Sequence, residues 1–231
     1  MTTGLQRITP LTVLLALLLM TGACGSPQPA PPVEPATREP ADSDPASPLP
    51  SAVPSSAAGS EVVGRAPADL RDVDWAAIPF PGEFCAVPGL VRFDAELEAR
   101  ARSETWGPVR IRRTTRVVYG NFDGDTRDEA IVYVGCDDDG VTQNTQIAAG
   151  YVVFGHAGRN LVVLGSITPQ QKSRASYPTA LVRPEFAEGR ITVYEKWYRT
   201  SDAHCCPTGD ATTVWTREGN RLTPGAPRIV S

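Results

Sequence analysis

Residues 117–134 constrain this chain more than any other stretch. Val117-Val118-Tyr119 and Ala130-Ile131-Val132-Tyr133-Val134 are apolar, β-prone runs. Between them lies Gly120-Asn121-Phe122-Asp123-Gly124-Asp125-Thr126-Arg127-Asp128-Glu129, a loop dense in side-chain oxygens. Runs rich in Val, Ile and Tyr, bounded by Gly, Asn and Asp, read as strands joined by a turn. The stretch therefore predicts a strand–loop–strand unit whose register the loop fixes.

Further runs of this kind stand at residues 90–93, 109–119, 129–136, 148–154, 161–167, 179–182, 190–198 and 211–216. Turn chemistry separates several of them: Asp139-Gly140, His156-Ala157-Gly158-Arg159-Asn160, Glu188-Gly189 and Glu218-Gly219-Asn220. Upstream, residues 69–80 hold one short helical turn ended by Pro79, with Trp75, Ile78 and Phe80 as core anchors. Residues 95–103 are expected to be helical, because Glu96 and Arg100, and Glu98 and Arg102, stand at i,i+4. No βαβ rhythm and no GxGxxG loop occurs. Residues 61–231 are thus expected to form a mainly β, single antiparallel meander or sandwich-like domain with little helix.

What precedes that domain has another character. Arg7 followed by the apolar run at residues 11–20 reads as an export signal over residues 1–23, too short for a membrane span. It ends in Thr21-Gly22-Ala23-Cys24, which resembles a bacterial lipobox with Thr21 in the usual aliphatic place. Cys24 is then the acylated first residue of the mature chain. At about 0.8 kcal/mol per buried CH₂, two acyl chains suffice for stable anchoring. Residues 24–60 form a Pro/Ala/Ser-rich disordered tether. Ten of residues 25–60 are proline and none is aromatic, so the segment cannot bury enough apolar area to order itself. Extended at about 3.1 Å per residue, it reaches roughly 100 Å.

The loop itself carries the one candidate ion site. Asn121, Asp123, Asp125 and Glu129 occupy positions 1, 3, 5 and 9 of a DxDxDG-type loop, with the Arg127 carbonyl at position 7. Calcium takes six to eight oxygen ligands, and short acidic side chains on a tight turn deliver several to one point. Position 6 is Thr126 rather than Gly, and position 12 is Val132 rather than a bidentate Glu, so the loop is no EF-hand. The competing reading is a dry corner in which Asp123 and Asp125 bond backbone N–H groups as Asx turns. A second acidic cluster, Asp137-Asp138-Asp139-Gly140, reads as a solvated hairpin tip.

The residues from Tyr119 to Val134, with Cys136 closing the strand, resemble a block found in a group of actinobacterial lipoproteins of the LppP/LprE type. Downstream, His204-Cys205-Cys206-Pro207 and the strand Thr212-Thr213-Val214-Trp215 are similar to the late Cys-Cys-Pro segment of the same group, and Phe84-Cys85 fits upstream. The same block is similar to a single FG-GAP repeat, whose acidic loop binds calcium. Only one copy is present, which excludes a whole propeller. The resemblance spans most of residues 72–224 and implies a secreted or lipid-anchored β domain without an established activity.

After Cys24 four cysteines remain, an even number that in an exported chain reads as two disulfides. Adjacent Cα atoms at about 3.8 Å fall below the usual disulfide span. Excluding a bond between Cys205 and Cys206 leaves each of them paired with one of Cys85 and Cys136. Closing such long loops is worth roughly 4–5 kcal/mol each. The alternative is a soft-metal site built on His204, Cys205, Cys206 and Cys136.

Nothing points to catalysis. The two histidines, His156 in an exposed hairpin turn and His204, stand in none of the Gly-x-Ser-x-Gly, Ser-x-x-Lys or His-Glu-x-x-His motifs. Asp128 and Glu195 are the sort of carboxylate pair that any acidic β protein offers. Tyr194, Trp197, Tyr198 and Trp215 read as core and strand-edge residues rather than a sugar platform. A formal charge of −4 gives no basic face for nucleic acid. The chain therefore reads as an extracytoplasmic lipoprotein, held at the outer face of the cell membrane through acylated Cys24. Its role is binding or structural, toward an envelope partner or ligand the sequence does not name. A cell-envelope hydrolase or carbohydrate-active module using surface carboxylates, and a soluble ligand carrier, are the alternatives.

Overall fold

The computed structural model describes residues 60–139, 146–173, 177–203, 205–218 and 221–230. The export signal, Cys24, the tether up to residue 59, His204, Gly140 and Gly219-Asn220 lie outside the described residues.

Thirteen strands and two single turns of 3-10 helix (Leu70–Asp72 and Glu83–Cys85) make up the regular structure of the described residues. Five strands run up and down in chain order: β4 (Glu98–Ser103), β5 (Gly107–Gly120), β6 (Glu129–Asp138), β7 (Gln146–Ala157) and β8 (Asn160–Ile167). β1 (Glu61–Arg65) adds to β8 as the sixth strand of this antiparallel sheet. A second meander joins β9 (Ala180–Ala187), β10 (Arg190–Trp197), β11 (Gly209–Glu218) and β12 (Arg221–Pro224), with β13 (Arg228–Ile229) returning onto β11. A small ribbon pairs β2 (Phe80–Pro81) with β3 (Leu90–Val91).

The continuous apolar runs of the sequence explain the layering. A strand covered on one face alternates apolar and polar residues; one covered on both faces is apolar throughout. In β6, Ala130, Val132, Val134 and Cys136 enter one core while Ile131 enters the other. β7 divides Val152 and Phe154 from Tyr151 and Val153, and β8 divides Leu161 and Val163 from Val162 and Leu164. The six-stranded sheet is thus the middle layer. Its first face is covered by the two 3-10 turns, the β2–β3 ribbon and the chain between them, which carry Leu70, Trp75, Phe80, Phe84 and Val91. Its second face packs on Leu181, Ile191, Val193 and Trp215 of the second meander.

The anchors expected at residues 75–80 hold the first core. Trp75 and Phe80 meet Phe154 edge-on at centroid distances of 5.0 and 4.9 Å, and the Trp75 indole N–H donates to the Tyr119 hydroxyl at 3.0 Å. Buried Arg113 stacks its guanidinium between Phe80 and Phe93.

Two expectations fail. Residues 98–103 are a strand, β4, and not a helix. The same residues satisfy a period of two, with Ala99 and Ser103 buried and Arg100 and Arg102 outside, and pairing with β5 selects that period. Nor is residues 137–139 a solvated tip. Asp137 is only 2% exposed and pairs with Arg112, while Asp139 pairs with Arg100. These two arginines, which β4 and β5 place on that face, draw Asp137 and Asp139 inward.

Glycine matters where β11 enters the second sheet. Gly209 stands opposite Trp197, and a Cβ there would sit 2.3 Å from the indole ring. Trp197 covers the gap that the glycine leaves in the strand, an aromatic rescue of a bare backbone position. Gly209→Ala is expected to cost about 1–2 kcal/mol by displacing that ring, read as a lower urea midpoint with unchanged slope.

Candidate functional site

The acidic loop sits at the rim where the layers meet. Phe122 is its keystone: 1% exposed, it leaves the polar run and enters the second core beside Ile131. Its carbonyl accepts from Gly189 N–H at the β9–β10 turn (2.8 Å). Gly120, just before the loop, meets the Phe186 ring so closely that a Cβ would lie 2.6 Å away. On the other side Asp128 accepts from Arg71 at 2.8 Å, and the Arg127 guanidinium reaches the Gly158 carbonyl at 3.4 Å.

Inside the loop the short polar side chains serve the backbone. Asn121 Oδ1 accepts from Gly124 N–H (2.7 Å), Asp123 Oδ1 from Asp125 N–H (3.1 Å) and Asp125 Oδ1 from Arg127 N–H (2.6 Å). The Asn121 amide also donates to the Asp125 carbonyl. These are successive Asx turns, which spare the chain from leaving donors unpaired. The left-handed residue is Gly124, at φ +78°, so the sharp bend falls two positions before Thr126. The backbone bond from Arg127 is the main cause holding the Asp125 carboxyl below its ordinary range.

Glu129 behaves differently. It is 2% exposed, and its carboxylate turns inward to accept from Phe122 N–H at 2.6 Å. Burial, aided by the charges of Asp123 and Asp125, pushes its carboxyl up to about 7. A cation at the loop would reverse that pressure, and calcium favours such an all-oxygen set. The second oxygen of Asp125 faces Arg127 at 3.3 Å and that of Asp123 faces Arg217 at 3.9 Å. Among the described residues no three His, Cys, Asp or Glu side chains converge on one point. Asn121, Asp123, Asp125 and the Arg127 carbonyl can supply a calcium ion only if both aspartates turn away from their arginines. The loop fits the ion in donor chemistry and requires that rearrangement in geometry.

All four downstream cysteines are disulfide-bonded, but not in the pairing expected from the sequence. Cys85 bonds Cys136 across a Cα separation of 5.7 Å, and Cys205 bonds its neighbour Cys206. Strand parity is the reason. Cys136 points into the first core, where the Glu83–Cys85 turn brings Cys85 beside it. Cys205 and Cys206 follow β10, on the sheet that covers the opposite face. They are left to close a ring through the one peptide bond between them. The ring holds its two Cα atoms 3.7 Å apart, below the span usual for a disulfide. Cys136 is therefore not at hand for a metal site with the late pair.

The remaining side chains singled out in the sequence are dispersed. Asp128 is committed to Arg71. Glu195, 1% exposed, lies in β10 and uses both oxygens on Thr213 Oγ1–H (2.7 Å) and the N–H groups of Gln170 and Gln171 (2.9 Å each). It staples the chain after β8 to the second sheet and does not meet Asp128. His156 ends β7 half-buried, its Nε2 at 3.1 Å from the Pro67 carbonyl, instead of standing free in the turn. Trp215 is core, Trp197 covers Gly209, and Tyr198 packs on Tyr177 at 5.1 Å. Two surface clefts of about 560 Å³ each open on the domain, and among the described residues neither is lined by a histidine or cysteine. The core role of Phe122 went unnoticed in the sequence, where a single aromatic inside a polar loop was its signal; Glu195 stood there only as a carboxylate paired with Asp128, and nothing marked it as a staple.

No family model, no curated protein and no solved structure matches the chain.

Proposed function

We propose that the chain is an extracytoplasmic lipoprotein, anchored by acylated Cys24 and acting as a binding or structural module at the cell envelope. The observation that carries this reading is the Cys85–Cys136 disulfide, with both cysteines fully buried in the first core. A core built around such a bond belongs to a protein that folds in an oxidising compartment, in agreement with the export signal, lipobox and proline-rich tether that precede β1. The acidic loop at the domain rim takes calcium as a stabilising ion through Asn121, Asp123, Asp125 and the Arg127 carbonyl, with Glu129 ionised behind them.

One experiment tests the anchor. Cells expressing the full chain are labelled with a radioactive fatty acid and fractionated. Label and membrane association should both disappear in Cys24→Ser. An unlabelled wild-type chain recovered from the cytosol with reduced cysteines would refute the reading. Thermal melting of the same protein with and without calcium tests the loop, since an upward shift should vanish in Asp123→Ala/Asp125→Ala.

A further inference from the structure

We propose that Cys205 and Cys206 form a thiol–disulfide exchange site on the surface of the domain, able to oxidise an exposed dithiol of a protein or peptide. This goes beyond the envelope role proposed above and does not depend on the anchor or on calcium.

The two disulfides of this chain differ in what they can do. Cys85–Cys136 closes a loop across 51 positions and both its cysteines are fully buried. It constrains a long loop of the unfolded chain, and its burial shuts it away from thiolates in solution. Cys205–Cys206 joins neighbours, and both residues are exposed. A ring with no residue between its cysteines removes almost no freedom from the unfolded chain, so it adds almost nothing to stability.

Nor does the surrounding turn need the bond. Asp202 closes it at the base, accepting from Arg199 N–H (2.7 Å), Thr208 N–H (2.9 Å) and Thr208 Oγ1–H (2.7 Å). Cys206 N–H donates to the Ala203 carbonyl at 3.0 Å. The Arg199 guanidinium lies over the Trp197 ring at 5.4 Å, and that ring covers Gly209 on the outgoing strand. Backbone, carboxylate and aromatic contacts thus hold the chain on both sides of the ring, and none of them runs through its sulfurs. An accessible disulfide whose opening costs the fold little is free to exchange.

The exchange balances without an added oxidant. A thiolate of the substrate attacks one sulfur of the ring, forming a mixed disulfide, and the neighbouring cysteine leaves as a thiolate and is protonated. The second thiol of the substrate then attacks the mixed disulfide, loses its proton and releases the other cysteine. The substrate dithiol becomes a disulfide, and two electrons and two protons pass to Cys205 and Cys206. Reverse exchange with a more oxidising disulfide regenerates the ring.

The test uses the full chain in its oxidised form. Graded dithiothreitol under native conditions, followed by maleimide trapping and peptide mapping, should place the first free thiols on Cys205 and Cys206 with near-UV circular dichroism unchanged. Phenylarsine oxide, which bridges neighbouring thiols, should then bind the reduced protein and fail to bind Cys205→Ser/Cys206→Ser. Mixed with a reduced dithiol peptide, the oxidised protein should convert it to the disulfide, one equivalent per ring opened, and the double serine variant should lose this transfer. The variant alters only exposed positions, and its dichroism verifies that it is folded. The proposal is overturned if Cys85–Cys136 opens first, if opening the ring unfolds the domain, or if the peptide is oxidised as fast by the variant.

Discussion

Replacing Cys85 and Cys136 together by alanine is expected to remove about 4 kcal/mol of stability or slightly more. Two effects add. The bond joins residues 51 apart, and releasing that loop restores freedom to the unfolded chain worth about 4 kcal/mol. Both cysteines are fully buried among Phe84, Val91, Val134 and Val152, so truncation also leaves unfilled space in a close-packed core. Domains of this size are stable by about 5–15 kcal/mol, and the loss is a large share of it. Urea denaturation of the wild type and the double alanine variant reads the difference from the midpoints. A change under about 1 kcal/mol would mean that the bridge contributes no such constraint. The same pair of measurements on Cys205→Ser/Cys206→Ser should show almost none, because that ring closes no loop.

That contrast also marks what sequence could reveal and what it could not. Strand positions were legible because apolar periodicity is local: the runs at 129–136, 148–154 and 161–167 lie within β6, β7 and β8. The two-faced burial of those strands was written in their unbroken apolar character, although which face met which layer was not. Residues 98–103 were misread because Glu98-Ala99-Arg100-Ala101-Arg102-Ser103 fits a helix period and a strand period equally, and pairing with β5 chose between them. The burial of Asp137 and the pairing of Asp139 depended on arginines more than twenty residues away in sequence. Disulfide partners depend on parity across the middle sheet, a long-range property that spacing does not encode. The acidic loop was recognisable from its oxygens, yet the inward turn of Glu129 follows from Phe122 being drawn into the second core, which only packing decides.

That inward carboxylate gives the second large effect. Without added calcium, the domain is expected to lose up to about 3 kcal/mol as pH rises from 4.5 to above 7. The sign follows from Glu129 alone. Burial lifts its carboxyl from 4.5 to about 7, so the folded state holds a proton through a range where the unfolded chain has lost it. A group that binds protons more tightly when folded stabilises fully below its unfolded value and ceases to do so as pH passes its folded value. Asp69, Asp125 and Asp202, held low chiefly by backbone N–H groups, act in the opposite sense and only below about pH 5, where carboxylates of ordinary affinity begin to protonate. They leave the range above it clear. Glu129→Gln keeps an acceptor oxygen for Phe122 N–H but cannot ionise, so its urea midpoint should stay level from pH 5 to 8 where that of the wild type falls. A slope that persists in the glutamine variant would assign the effect to another group. Calcium should oppose the decline in the wild type, since an ion beside Asp123 and Asp125 favours the ionised carboxyl, and should give the glutamine variant less.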